Sequence, residues 1–395
     1  MNSNIQKLYR IAGQHSRTIV GLMSGTSLDG LDIALCRVDG ADSQTRIELT
    51  AFETSSYPED LRNEIKAVFS KENVSTRMLS AMNAKLGLVH ADLVLKALRK
   101  WKIQPAEVDL IASHGQTVYH APQRGDGLPN STLQIGDADH IAVHTGIITI
   151  SDFRQKHVAA GGEGAPLVIY GDYLLFGDLV EDRVLLNIGG ISNFTLLPAG
   201  RTTEGVFATD VGPGNTLMNQ YMQLHFGMAY DEDGRIASAG RVNADLLDSL
   251  IGHEFFLEDF PKTTGPELFS MEYLLRAQQS SGTKNIPHED VMATLAAFTV
   301  RCISEALLKL RARFSNLHVY LSGGGNSNPL LREWLGKALE GVPLASTAAI
   351  GMNPDAKEAI LFALLANQAL AGNPISFGKM SGAPEVHFGK LSFPG

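Results

Sequence analysis

The stretch Thr18-Ile-Val-Gly-Leu-Met-Ser-Gly-Thr-Ser-Leu-Asp-Gly-Leu-Asp-Ile-Ala-Leu-Cys-Arg-Val38 decides the fold. Two apolar runs, Thr18–Met23 and Leu31–Val38, flank a turn rich in glycine and hydroxyl groups, the pattern of a β-hairpin whose loop carries ligand-binding chemistry. A second unit of the same shape, Val184-Leu-Leu-Asn-Ile-Gly-Gly-Ile-Ser-Asn-Phe-Thr-Leu-Leu197, stands near mid-chain. Two strand–glycine turn–strand units, each opening one half of the chain, predict an internal duplication.

Working outward, helical periodicity follows each hairpin, over Pro58–Ser70, Ser80–Trp101, Gly214–Phe226, Glu289–Phe314 and Asn353–Ala371. Met292, Leu295, Ala296, Val300, Ile303 and Leu307 recur at three- and four-residue steps and form a stripe that should face a core. Asn353-Pro354 reads as an N-cap with proline in the first turn of the last helix. Strands alternating with helices predict α/β lobes. At 395 residues the chain is too long for one comfortable core, so two lobes are expected. We expect the first lobe to hold 1–146 and a returning C-terminal stretch, 366–395, and the second to hold 147–365.

A formal net charge of −9 argues against a nucleic-acid partner, which calls for a basic face. No run approaches the length of a membrane span and the first residues do not read as a signal peptide, so a cytoplasmic protein is expected. Cys36 and Cys302 lie in apolar or mixed segments and read as buried small side chains.

The turn Gly25-Thr-Ser-Leu-Asp-Gly30 lets backbone approach a phosphate, Thr26 and Ser27 add hydroxyl donors, and Asp29 supplies a hard oxygen for Mg²⁺. Taken alone, it is equally an ordinary glycine-rich hairpin with a solvated aspartate. Three further loops shift the balance: Leu186-Asn-Ile-Gly-Gly-Ile-Ser-Asn193, Asp210-Val-Gly-Pro-Gly-Asn215 and Leu321-Ser-Gly-Gly-Gly-Asn-Ser-Asn328. Neither a P-loop nor a Rossmann fingerprint is present. Phosphate loops spread over two duplicated lobes imply a nucleotide held in a cleft between them.

Together with Ser113-His-Gly-Gln-Thr117, Leu133-Gln-Ile-Gly136, Asp152-Phe-Arg154, Ala159-Ala-Gly-Gly-Glu-Gly-Ala-Pro-Leu167 and Pro261-Lys-Thr-Thr-Gly265, these loops make the sequence from about Arg17 to Gly389 similar to the anhydro-N-acetylmuramic acid kinases. Related to them are the levoglucosan kinases, within the sugar kinase and actin-like ATPase superfamily. The resemblance implies a duplicated actin-like α/β fold of the ribonuclease H type. It also implies a coupled reaction in which water opens a 1,6-anhydro ring and the freed O6 takes the γ-phosphoryl group of ATP. Its implied general base is Asp210, whose residue-level alternative is an Asx-turn or helix-capping aspartate.

On this reading Mg·ATP contacts Gly25, Thr26, Ser27, Leu28, Asp29 and Gly30 from one lobe, and Gly189, Gly190, Gly212, Gly214, Asn215, Gly323, Gly324 and Gly325 from the other. The sugar is expected against Gln116, Asp152, Arg154 and Glu358, with Asp29 and Glu358 positioning the metal. Arg154 has a guanidinium fork suited to paired oxygens, and a structural ion pair as its alternative. Glu358 equally suits the helix dipole as a first-turn residue. His114 reads as a structural histidine and Gln116 as the sugar contact. Glu163 stands where many relatives carry glutamine. Levoglucosan is an alternative substrate, an ATP-switched actin-like binding protein is the rival of another class, and a homodimer is compatible with either.

Overall fold

The computed structural model describes residues 2–25, 28–122, 127–351, 353, 355–378 and 383–395. Its strands are β1 (Ser16–Ser24), β2 (Gly30–Asp39), β3 (Arg46–Ser56), β4 (Leu110–Ala121), β5 (Ser131–Ile135), β6 (Thr149–Ser151), β7 (Asp182–Ile188), β8 (Ile191–Leu197), β9 (Phe207–Pro213), β10 (Leu317–Ser322), β11 (Leu344–Ser346) and β12 (Lys390–Ser392). The chain divides into two units, the first built from Met1–Leu175 with Asp355–Gly395, the second from Phe176–Pro354.

In the first unit the strand order is β12-β6-β4-β1-β2-β3, with β5 on β4. β1, β2 and β3 form an antiparallel meander, and β4 and β6 then run parallel to β1. The second unit has the order β11-β10-β7-β8-β9, again a meander followed by two parallel strands. The series β3-β2-β1-β4-β6 and β9-β8-β7-β10-β11 are the same arrangement built twice, which is the duplication that the two hairpins predict. Parallel neighbours need crossover connections, and the helices Thr76–Trp101, Ala138–Thr145, His288–Arg311 and Pro329–Ala338 lie in them.

The first core packs Val20, Leu22, Ile33 and Leu35 of the meander with Leu86 and Val94 of the Thr76–Trp101 helix and Ile111 of β4. In the second, Val184, Leu186, Val319 and Leu321 meet the His288–Arg311 helix, whose predicted stripe is buried throughout. That helix is long and apolar enough to cross a membrane, but its apolar side chains fill this core. Cys36 and Cys302 are free and buried, and burial pushes the Cys36 thiol up to about 12.

The first unit extends further than expected, to Leu175 rather than Gly146, and resumes at Asp355 rather than 366. The reason is pairing and packing: β6 joins β4, Phe153 packs at a tilt against Phe362, and the helix Lys357–Ala371 lies on β1. That helix opens after a turn at Asp355 and Ala356 rather than at Asn353, and Pro354 lies outside the described residues.

Gly21 is where the helix touches the strand. A Cβ there would run into the Ala359 carbonyl and lie 3.2 Å from the Ala363 nitrogen, both backbone atoms. Gly21→Ala should therefore force the helix off the sheet and destabilise the protein by about 1–3 kcal/mol, the usual range for overpacking. Equilibrium urea unfolding would measure it, and a midpoint equal to the parent's would contradict this packing.

Candidate active site

In the second unit, three glycine turns meet at the carboxyl ends of the parallel strands β7 and β10, where α/β folds place ligands. The Gly214 and Asn215 amides donate to the Gly190 and Gly189 carbonyls, each at 2.8 Å. The Asn215 amide group donates to Ile188 O at 3.3 Å and Gly189 O at 3.1 Å, and Thr299 Oγ1 holds Gly214 O at 2.8 Å. A side chain at Gly214 would strike the Gly189 carbonyl, and one at Gly323, with φ of +81°, would meet Ile188 O at 2.7 Å. Gly189, Gly190, Gly214, Asn215 and Gly323 thus form one backbone-walled cradle. Gly324 and Gly325 continue it in the short turn Gly324–Ser327.

Asp210 lies on β9 at the edge of the same unit's sheet. The β8–β9 register slips by one residue there, Ser192 facing Gly212 while Asn193 faces Asp210, so β9 carries a bulge. Bulges re-aim side chains and are common beside active sites. Gly212, within it, backs onto Cys302, 3.0 Å from where its own Cβ would be. One Asp210 carboxylate oxygen accepts the Thr264 amide at 2.8 Å, and its backbone N–H donates to Lys262 O at 2.9 Å. Burial raises the carboxyl above its ordinary range, and the Thr264 hydrogen bond opposes that rise. Half-buried, raised and held at one oxygen only among the described residues, Asp210 has the attributes of a base.

In the first unit, β4 carries His114 and Gln116 around Gly115, whose φ of +75° puts an extra residue opposite β1. The Arg154 Nε donates to His114 Nε2 at 2.7 Å, His114 Nδ1 faces Gly115 O at 2.8 Å, and Arg154 Nη1 donates to Gly164 O at 2.8 Å. That pattern requires a neutral imidazole protonated on Nδ1. Burial first, then the adjacent guanidinium, pushes His114 down to about 3. The Arg154 guanidinium is also lowered by burial, and Glu358 opposes this.

Glu358 is open to solvent, yet it lines a cavity of about 250 Å³ and has protein on most sides. Desolvation therefore lifts its carboxyl; Arg154 opposes that, and Asp32 adds to it. The same cavity is lined by Met23, Pro166, Leu361 and Phe362, with the Lys357–Asp172 ion pair at 2.8 Å. Asp32, on β2, accepts from Thr54 Oγ1 at 2.6 Å and is itself raised by burial.

The expected contacts divide. Thr26 and Ser27 lie outside the described residues. Leu28 is buried in the core, at 3% exposure, and Gly30 opens β2. Asp29 is exposed, with Arg62 at 4.0 Å. Gln116, fully buried, accepts from Ser24 Oγ at 2.6 Å and donates to Gly25 O at 3.1 Å and Thr117 O at 3.2 Å. Its amide is thus already spent holding the turn from beneath. Asp152, at φ +58°, accepts from Ser151 Oγ at 2.9 Å and stands 3.7 Å from Lys390 Nζ. Arg154 and Glu358 are the two expected sugar contacts that share the cavity.

Sequence reasoning assigned no role to Asp32, Lys262 or Thr264, although the quoted motifs contain all three. The chain Tyr57–Ser24–Gln116, with Tyr57 Oη 3.0 Å from Ser24 Oγ and 2.8 Å from His90 Nε2, was out of reach because its members are distant in sequence.

The pattern of the family described as anhydro-N-acetylmuramic acid kinase matches residues 17–392. A Pseudoalteromonas atlantica protein named anhydro-N-acetylmuramic acid kinase is 51% identical over 400 residues, covering 100% of both chains. Its namesake from Pseudoalteromonas translucida is 48% identical over 399 residues, again covering 100% of both. Among solved structures, the activator of the 2-hydroxyisocaproyl-CoA dehydratase from Clostridium difficile with bound ADPNP aligns over 90% of this chain and 96% of its own, with 12% identity and a TM-score of 0.38. By pattern and by full-length identity, the chain belongs to the anhydro-N-acetylmuramic acid kinase family.

Proposed function

We propose that this protein is an ATP-dependent kinase that opens 1,6-anhydro-N-acetylmuramic acid with water and phosphorylates O6, giving N-acetylmuramic acid 6-phosphate. The observation that carries this reading is the placement of Asp210 on the bulge of β9, one carboxylate oxygen held by the Thr264 amide, with the glycine cradle in the same unit. Asp210 takes a proton as the water oxygen bonds to C1. The C1–O6 bond breaks, and O6 bonds to the γ-phosphorus of ATP as ADP leaves.

The backbone-walled cradle fits the phosphates and ribose of a nucleotide, because its glycines have no side chains to keep a ligand off the backbone. Arg154, its Nε and Nη1 already committed, offers its remaining N–H groups to oxygens of the sugar or of the transferring phosphoryl group. Among the described residues no cluster of three or more His, Cys, Asp or Glu side chains stands ready for a metal. This fits Mg²⁺, which is carried largely by phosphates and water and asks for one or two carboxylates. Glu358, beside the like-charged Asp32, and Asp29 would supply them. When bound, Mg²⁺ neutralises developing charge on the phosphoryl oxygens. The chemistry needs only ATP and a small sugar, and a cytoplasmic setting provides both.

Incubation with Mg·ATP and a panel of sugars tests the proposal. Stoichiometric ADP release is expected with the anhydro-N-acetylmuramic sugar and not with reducing hexoses. A preference for levoglucosan would move the substrate assignment, and sugar-independent ATP turnover alone would favour an actin-like switch.

A further inference from the structure

Lys262 is charged, yet only 9% exposed. Its ammonium donates to the Phe255 carbonyl at 2.6 Å and lies 4.2 Å from the centre of the Phe255 ring, with Phe256 and Phe260 each at 5.8 Å. Burying an ammonium is costly, and the carbonyl acceptor and the aromatic faces offset that cost only while they hold it in this place. The caged ammonium in turn holds the segment after Phe260, which is tied to the strand bearing Asp210 by several bonds. Lys262 N donates to Thr209 Oγ1 at 2.9 Å, Lys262 O accepts from the Asp210 amide at 2.9 Å, and the Thr264 amide donates to the Asp210 carboxylate at 2.8 Å.

We propose that Lys262 is a positioning residue for Asp210: its caged ammonium fixes the 260–264 segment, so that the Thr264 amide meets one carboxylate oxygen and leaves the other aimed at the attacking water. This inference rests on the reading of Asp210 as general base. Burial and then Lys309 lower Lys262, and Glu258 and Asp259 oppose that; the other titratable group that faces it is the Cys302 thiol, which burial keeps neutral. They set the charge of the cage. The amide that acts on Asp210 belongs to Thr264.

The consequence is specific. The Thr264 hydrogen bond is the interaction that lowers the Asp210 carboxyl against burial. Loosening it should raise that carboxyl, and the acid limb of the kcat–pH profile should move to higher pH. Misplacement of a reacting group by about 1 Å can cost about 10²-fold, so turnover should fall by about tenfold or more.

The test compares the full-length parent with Lys262→Met, which keeps the stem and removes the charge. KM for ATP should change little, kcat should drop, and the acid limb should shift upward. A merely structural lysine would change the thermal midpoint without moving that limb. Should Lys262→Met not fold, Phe255→Leu keeps the backbone acceptor while removing the ring beneath the ammonium. A shifted limb in that variant supports the proposal, and a parent-like limb overturns it. Asp210→Asn is measured alongside. If it is inactive while the Lys262 variant keeps parent kcat and pH profile, the positioning role alone falls. If Asp210→Asn is active, both readings fall.

Discussion

Asp210→Asn should turn over the anhydro sugar about 10²–10⁴-fold more slowly than the parent, the range general-base catalysis supplies. The asparagine oxygen can still accept the Thr264 amide, so the local geometry survives and only the proton acceptor is lost. Ring opening and phosphorylation should fail together, because O6 becomes an acceptor only as the C1–O6 bond breaks. The KM for ATP should stay near the parent's, since the glycine cradle is unaltered.

The same substitution has a predictable effect on stability. A carboxyl raised in the folded state favours the folded, protonated form. Its contribution is fully present below the unfolded pKa and lost as pH rises through the folded one. At neutral pH the ionised Asp210 therefore works against folding, and Asp210→Asn should melt no lower than the parent, an advantage that vanishes in acid. Calorimetry at two pH values checks this. A melting point well below the parent's at pH 7 would mean that the aspartate is a structural cap.

Arg154→Met should be nearly as damaging, by a different route. It leaves His114 Nε2 and the Gly164 carbonyl without their donor and removes the one cation that opposes the rise of Glu358 apart from its neighbour Lys357. Losing a charged hydrogen-bond donor to the substrate costs about 1.5–3 kcal/mol, which is about 10- to 150-fold in kcat/KM for the sugar. Glu358 should titrate at still higher pH, so activity should be lost earlier as pH falls. Arg154→Lys separates charge from geometry: it restores the acid limb but not the fork. Parent-like kcat/KM in Arg154→Met would remove the residue from the sugar site and leave it a structural donor to His114 and Gly164.

Much of this was legible in the sequence because the relevant signals are local. The hairpins at Thr18–Val38 and Val184–Leu197 announce themselves by composition, and the duplicated sheet follows from them. Glycines at 189, 190, 214 and 323 are visible one by one, though their convergence needs β7 and β10 to lie side by side. The unit boundary was misjudged because β6 is three residues long and declares its partner only through pairing with β4. Gln116 was expected at the sugar because a turn residue after an apolar strand usually faces the ligand. The bulge at Gly115 instead turns it inward to Ser24 and Gly25. Lys262 was passed over because its role depends on Phe255 and on Thr209, neither of them next to it in sequence.

In the proposed reaction, one catalytic event adds water to carbon and phosphoryl to the oxygen that carbon releases. Running the reaction in H₂¹⁸O, with rapid borohydride trapping before the anomeric hydroxyl can exchange, reads this directly by mass. One ¹⁸O should appear at C1 for each phosphoryl group transferred, with the O6 that bridges to phosphorus unlabelled. A phosphorylated product carrying no solvent oxygen at C1, or solvent oxygen in the phosphoryl group, would contradict the account.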